Sequence, residues 1–402
     1  MNDKSRGRRV LIIIQNLPVP LDRRVWLESQ ALRDAGYEVT VVCPMGTNDP
    51  AFEVIDGISI YKYKPYIGSN SRLAYLLEYA YSFLATAWLV AKARRHGRFA
   101  VIQSCNPPDI FWPIAVLLRI VEGTSFVFDH HDLCPELYQS RFPEGSLGPH
   151  KSLLLLERLT YRSAQHIIAT NNSYRRVAIE RNGKEPNNVT VVRSGPDIKS
   201  MYRVNAVPAL KRGRTHLVAY LGVMGPQDGV DIAVLAAGII VNEWGRRDVS
   251  FTFMGKGDSF DELVRMRNQL KLQEFVEFTG RASDELVARV LSTADVGLSP
   301  DPKNPLNDVS TMNKTLEYMA FGLPTVAFDL HETRYSAGES AVYAVPNEVD
   351  DYARSIIQLL DDEPRRVKMG DVAIERIRKE LAWEYQSPEY VGVYDRIVND
   401  AR

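Results

Sequence analysis

A chain of 402 residues exceeds one ordinary domain and points to two or three. Its 45% apolar and 25% charged residues are average for a soluble globular enzyme. A formal net charge of −1 excludes a nucleic-acid binder by bulk charge.

Strand-type and helix-period runs alternate from the start. RVLIII (9–14) reads as a strand, and 25–35 as an amphipathic helix stopped by Gly36. YEVTVVC (37–43) and ISIYKY (58–63) are strands; a long helix over 73–91 and the strand FAVIQSC (99–105) follow. IFWPIAVLLRIV reads as a helix, SFVFDHH (125–131) as a strand, and a helix near 151–163 leads into HIIAT and NVTVVRSG. The pattern breaks at SGPDIKSMYRVNAVPA and restarts with the strand HLVAYLGV (216–223) and a helix around 229–243. VSFTFMG, DELVRMRNQL, FVEFTG, DELVARVLS, VGLSP, a short helix ending near Gly322, and PTVAF complete the series. Strands joined through helices imply parallel sheets with right-handed crossovers, here two doubly wound Rossmann-like domains. The expected division is 1–200, 201–382 and a terminal helix at about 383–402 that packs back on the first domain.

Residues 73–91 approach the ~20 apolar residues that span a bilayer, but Glu78 and the tyrosines argue against a span. The segment reads as a buried or surface-packed helix, with a membrane-touching amphipathic helix as the alternative. Residues 1–195 hold 24 Lys and Arg against 18 Asp and Glu; the remainder hold 25 against 32. The basic half suits an anionic surface or acceptor, unless the asymmetry is chance. Cys43, Cys105 and Cys134 form no C-x-x-C pair, so they read as small buried residues in a reducing cytosol. The run after the basic start is too short for a signal peptide.

Ligands of open parallel sheets bind at the carboxyl ends of strands, which selects the loops rich in Gly, Pro and charge. No G-x-G-x-x-G follows the first strand, no P-loop occurs, and no G-x-S-x-G elbow supports a hydrolase. MGKG (254–257) is a weak glycine turn. The stretch SPDPKNPLNDVSTMNKTLEYMAFGLPTVAFD (299–329) is stronger. The exposed N–H groups near Ser310–Asn313, with Lys314, suit a diphosphate. Glu317 on the same face suits sugar hydroxyls, and the plain alternative is a surface ion pair. In DHHD (129–132) neighbouring residues of an extended chain point to opposite faces, which disfavours a metal cluster. One histidine packed inside and His131 at the ligand edge is the better reading.

The pieces LPVPLDRRVWLESQALRDAGYEVTVVCP, FDHHDLCPE, YLGVMGPQDGVD and NKTLEYMAFGLPTVAFD resemble the retaining GT-B-fold glycosyltransferases of the family 4 type, across nearly the whole chain. The resemblance implies a nucleotide-sugar donor in the C-terminal domain, an acceptor in the N-terminal domain, a cleft between them, and neither metal nor cofactor. It implies donor roles for Glu317, Lys314, Asn313, Arg281, Gly222, Gly255 and Gly257, and contact of His131 with the transferred sugar or its phosphate. Asn16, Arg23, Arg24, Asn106, Asp132 and Arg193 become acceptor or cleft residues. Three departures stand out. The first glutamate of the family's E-x7-E falls at Val309, with Asp308 as a substitute one position away. The two usual diphosphate cations are Val223 and Asp228 here. Lys314 and the helix dipole would then carry more of the charge, or Arg23, Arg24 or Arg193 would reach the donor.

The implied activity is metal-independent, retaining transfer of a hexosyl or N-acetylhexosaminyl group in bacterial surface polysaccharide synthesis. The implied acceptor is a glycan or a polyprenyl-diphosphate-linked glycan at the inner membrane face. A GT-B sugar-nucleotide epimerase and a non-catalytic sugar-binding clamp are the alternatives.

Overall fold

In a computed structural model, residues 8–66, 72–142, 145 and 147–400 are described, without the side chains of 72–76. The basic start and the last two residues of the terminal segment lie outside the described residues. The chain forms two compact units, Met1–Arg193 with Gln386–Arg402, and Ser194–Tyr385. The expected boundaries at 200 and 382 shift because the connecting segment is bonded into the second unit. Val204 N donates to Ser292 Oγ (2.9 Å), Val207 N to Thr293 Oγ1 (2.8 Å) and Trp383 N to Pro196 O (3.1 Å).

The first unit is built on β1 (Arg9–Ile13), β2 (Glu38–Pro44), β3 (Phe52–Ile55), β4 (Ile58–Tyr63), β5 (Val101–Cys105), β6 (Ser125–His130), β7 (His166–Ala169) and β8 (Val189–Val191). Their order is β3-β4-β2-β1-β5-β6-β7-β8, parallel except for the edge pair β3–β4. That hairpin was not expected. It turns at Asp56-Gly57, both with positive φ, a dipeptide suited to such turns. Helix α1 (Arg23–Asp34) joins β1 to β2 toward one edge of the sheet. Helices α2 (Arg72–Ala93), α3 (Trp112–Glu122), α4 (Cys134–Arg141) and α5 (Leu147–Ser163) serve crossovers running the other way. Right-handed crossovers therefore place α2, α3 and α5 on one face of the sheet and α1 on the opposite one. All five residues of β1 are buried, as a parallel strand covered on both faces requires. The short α6 (Asn172–Arg176) leads toward β8.

The second unit has β9 (His216–Leu221), β10 (Val249–Met254), β11 (Val276–Gly280), β12 (Val296–Ser299), β13 (Thr325–Phe328) and β14 (Ala341–Ala344), all parallel, in the order β11-β10-β9-β12-β13-β14. Its helices are α7 (Val230–Gly238), α8 (Phe260–Gln269), α9 (Asp284–Thr293), α10 (Asn313–Ala320), α11 (His331–Ala337), α12 (Val349–Leu360) and α13 (Glu363–Arg376). The last helix, α14 (Trp383–Asp400), starts in the second unit and runs into the first. Both units have the doubly wound, Rossmann-like build expected from the alternating pattern. Among the described residues no helix is long and apolar enough to cross a membrane.

Tyr318 of α10 is fully buried and ties two strands together. Its hydroxyl accepts from Leu221 N (2.8 Å) and donates to Leu298 O (3.0 Å). Tyr318→Phe leaves a buried N–H and a carbonyl without that partner, and should lower stability by about 1–3 kcal/mol in urea unfolding. Asp109, in the loop after β5, has a different effect. Burial pushes its carboxyl up to about 7, against the opposing pull of the Cys134 thiol. The folded chain therefore holds a proton there that the unfolded chain releases near pH 4. Stability falls as pH rises through that window and levels off above about 7. Asp109→Asn should remove this slope, so its advantage over the parent grows by about 2–3 kcal/mol between pH 5 and 8 in unfolding measurements.

Candidate functional site

The carboxyl edge of the first sheet gathers the loops after β1, β5, β6 and β8. Arg24, in the first turn of α1, places its guanidinium under them. It meets Asp129 Oδ1 (2.9 Å), Glu28 Oε1 (2.9 Å) and Val192 O (3.0 Å). Burial works against this cation, but Asp129 and Glu28 outweigh it and raise its pKa. Burial also works against the Asp129 carboxylate, yet Arg24 and His131 hold it well below the usual range. Glu28 goes the other way, raised well above the usual value by burial and then by Asp129. Arg24⁺ and Asp129⁻ thus form the firmest charged pair of the cluster.

His131 leaves β6 at this edge, with its Nε2 2.6 Å from Asp129 Oδ2. A carboxylate at that distance makes Nε2 the protonated nitrogen, so Arg24 Nε, 3.1 Å away, is its neighbour rather than its donor. The His131 backbone is held as well, since Asn106 Oδ1 accepts from His131 N (2.7 Å) and Asp132 N (3.2 Å). His130 points to the other face, buried against Phe128 and accepting from or donating to Tyr161 OH (2.6 Å). Burial lowers its pKa to about 3, so it stays neutral. Inside and outside histidines are therefore divided as the alternation of β6 requires. Glu28, Cys105, Asp129 and His131 lie within 4.8 Å of one another, a spacing that a metal ion could use. The Arg24 guanidinium already supplies the cation there. A second hollow of about 210 Å³ opens beside β1, β2 and β4, lined by Gln15, Asn16, Tyr63, Tyr66, Glu78 and Ser82.

In the second unit the loops after β9 and β10 pack backbone to backbone. Gly222 N donates to Met254 O (3.1 Å) and Met224 N to Lys256 O (3.1 Å). A Cβ on Gly255 (φ 145°) would lie 1.8 Å from Gly222 O, and one on Gly257 2.5 Å from Met224 O. These glycines are required by that contact before any ligand is considered. Lys314, on the first turn of α10, is buried against Gly222. Its Nζ bonds Asp301 Oδ1, lies 3.9 Å from Asp228 Oδ1 and sits 5.4 Å over the Tyr220 ring. Burial pulls its pKa down, but Asp301 and Asp228 more than restore it and the value is raised. Lys314 is thus a charged lysine between two carboxylates, not the free cation that the sequence suggested. Asp228 also closes the glycine turn, accepting from Gly225 N (2.8 Å). Val223 stays 60% exposed and lends only its backbone oxygen, to Tyr220 OH (2.6 Å).

The remaining expected residues divide clearly. Glu317 is half-buried one turn along α10 from Asn313, which is exposed at its start. The helix begins at Asn313, so its first turn lies a few residues later than Ser310–Asn313. Arg281 is exposed just after β11, and Arg23 is exposed beside Arg24. Asp308, the substitute for the missing glutamate, is engaged within its own unit. Its Oδ1 accepts from His331 N (3.0 Å) at the start of α11 and faces Lys303 Nζ at 3.4 Å. Asn106 is only 2% exposed, which makes it a clamp for the His131 loop rather than an open surface group. Arg193 is buried and its backbone N donates to Gln386 Oε1 (3.0 Å). Burial raises the Asp132 carboxyl above the usual range, against the pull of His131 and Arg141. Arg24 is bonded on three sides within its own unit. Asp129, Asp301 and Glu28 escaped the sequence reading, although Arg24–Glu28 has the legible i,i+4 spacing of a helical pair.

Two family models match the chain in succession, Glycosyltransferase Family 4 over residues 21–200 and Glycosyl transferases group 1 over residues 215–362. A phosphatidyl-myo-inositol mannosyltransferase from Mycolicibacterium smegmatis is 27% identical over 390 residues, covering 95% of this chain and 91% of that protein. A D-inositol 3-phosphate glycosyltransferase from Corynebacterium aurimucosum is 23% identical over 60% of this chain and 59% of its own length. Among solved structures, sucrose-phosphate synthase from Thermosynechococcus elongatus superposes with a TM-score of 0.80 at 17% identity, covering 98% of this chain and 100% of that one. Anabaena HepE in complex with UDP and glucose superposes with a TM-score of 0.69 at 16% identity, covering 98% and 99%. With both Rossmann-like units and both family models in place, the chain belongs to the GT-B glycosyltransferases of the family 4 type.

Proposed function

We propose that this glycosyltransferase takes a nucleoside-diphosphate sugar in its second unit and moves the sugar, with retention and without a metal, to a hydroxyl of a glycan or lipid-linked glycan. The observation that carries the reading is the placement of Glu317 on α10. It is half-buried one turn inward from the helix start, three residues after Lys314, whose side chain packs against Gly222. A helix N-terminus suits a diphosphate, and a carboxylate one turn on suits ribose hydroxyls. HepE, a neighbour by fold, is described with UDP-glucose, which favours a nucleotide donor.

Negative charge develops on the leaving diphosphate as the glycosidic bond breaks. Lys314 and the α10 N–H groups face that charge, and Asp301 and Asp228 fix the ammonium in place beforehand, as preorganised stabilisation requires. The same carboxylates leave the neighbourhood less positive than the usual site of the family. His131 keeps the contact with the transferred sugar or its phosphate that the family resemblance implies. The cation that Arg24 supplies under His131 supports a mechanism without a metal. The alternatives of epimerase and clamp gain no specific observation.

The acceptor belongs to the first unit, where the hollow beside Asn16, Tyr63 and Tyr66 offers aromatic walls and a carboxylate at Glu78. Helix α2 forms one wall and exposes Leu77, Tyr81, Leu84 and Trp88 on its outside, a spacing that makes one stripe. On the same face of the sheet α3 exposes Leu117, Ile120 and Val121, and Lys92, Arg94 and Arg95 follow the stripe. Apolar and basic groups side by side support peripheral contact with an anionic membrane; the cytoplasmic location at its inner face and the role in bacterial surface polysaccharide synthesis are carried over from the family resemblance alone. The mannosyltransferase relative is named for a phosphatidylinositol acceptor, which agrees with a lipid-linked substrate.

Calorimetric titration of UDP, GDP and ADP should show one of them binding the parent chain, and Glu317→Ala weakening it roughly 10–100-fold, the worth of charge-assisted hydrogen bonds. Undiminished binding by the variant removes Glu317 from the donor site. With the donor identified, transfer should persist in EDTA, and NMR of the product should show the donor's anomeric configuration. Co-sedimentation with vesicles of anionic phospholipid should capture the parent chain. Leu84→Glu with Trp88→Glu should cut that binding at least about tenfold, and equal binding of both chains rejects the α2 face.

A further inference from the structure

We infer that Gln103 and the tyrosine pair Tyr390 and Tyr394 are positioning residues for His131, relaying the docking of α14 to the imidazole. Gln103 lies on β5 in register two residues before the Cys105–Asp129 pair, so its side chain shares the sheet face of Asp129. It is wholly buried. Its Oε1 accepts from Tyr390 OH (2.7 Å) and from Tyr394 OH, and the two hydroxyls are 3.0 Å apart. Its Nε2 donates to Glu28 Oε2 (2.8 Å) and Asp129 Oδ2 (3.2 Å). The partners settle the amide orientation, because two hydroxyl donors need the carbonyl and two carboxyl groups need the NH₂.

Asp129 Oδ2 is also the oxygen that meets His131 Nε2, while Oδ1 is taken by Arg24. The chain of bonds runs from Tyr390 and Tyr394 to Gln103, from Gln103 to Asp129, and from His131 to the same oxygen. Each group is buried except His131, at the carboxyl edge. Removing the tyrosine hydroxyls leaves the Gln103 carbonyl without either donor in a place closed to water. The amide then turns to seek partners, Asp129 Oδ2 loses its fixed donor, and the carboxylate can rotate about its bond to Arg24. The His131 tautomer and ring orientation are set by that oxygen, so they loosen in turn. The tyrosines lie 287 and 291 residues from Gln103 in sequence, which makes the end of the chain part of the histidine's setting. This inference rests on the reading that His131 acts on the donor.

The test uses the full chain labelled with ¹⁵N-histidine, with His131 assigned by comparison with His131→Ala. In the parent, the two His131 nitrogens should show the distinct shifts of a ring fixed in one state, with a proton on Nε2. In Tyr390→Phe/Tyr394→Phe, which keeps both rings, and in Gln103→Leu, the two nitrogen shifts should move toward each other as tautomers mix. A parent-like His131 spectrum in either variant that folds, judged by circular dichroism, overturns the relay. The catalytic reading fails separately: His131→Ala that transfers sugar at the parent rate removes His131 from the chemistry and leaves the shift comparison standing.

Discussion

The first unit is organised around the guanidinium of Arg24, whose side chain is 9% exposed. Arg24 enters from the start of α1, and its partners come from α1 itself, from β6 and from the end of β8. A buried cation is tolerated only with partners on its donors, and breaking such a pair is far costlier than breaking one at the surface. That requirement pins α1, the end of β6 and the segment after β8 to one point. His131 inherits its place from it, since the carboxylate that balances Arg24 also takes the imidazole proton.

The second unit repeats the device with the same economy of parts. Lys314 is held by Asp301 from the loop after β12 and by Asp228 from the loop after β9. An ammonium with two carboxylates gives a local charge of −1, where the family resemblance led one to expect a surplus of positive charge. The aspartate at 228 is therefore more than a missing lysine. It reverses the sign at that position while closing its own turn through Gly225.

The fold was legible because its periodicities are strong. β1, β6 and β10 are buried apolar runs, and the helices between them carry clear caps such as Asp22 on α1 and Ser283 on α9. What was missed is weakly patterned: β3 is four residues long and half-exposed, and α4 follows a loop whose proline and charges resemble any turn. The split of His130 from His131 followed from strand alternation alone. The partners of Lys314 did not, because Asp301 lies 13 residues away in a loop whose path no periodicity describes. Asp308 shows a competing demand. It is near the right place in sequence, but the unpaired N–H groups at the head of α11 claim it.

The first unit is discontinuous in sequence, closed by Gln386–Arg402, whereas the second is one unbroken stretch. During synthesis the second unit has all its strands before the first has its last helix. Until Tyr390 and Tyr394 leave the ribosome, Gln103 has a buried carbonyl with no hydroxyl to accept. A nascent chain therefore completes its later half first, and a chain that stops before Tyr390 lacks the seal on its earlier one.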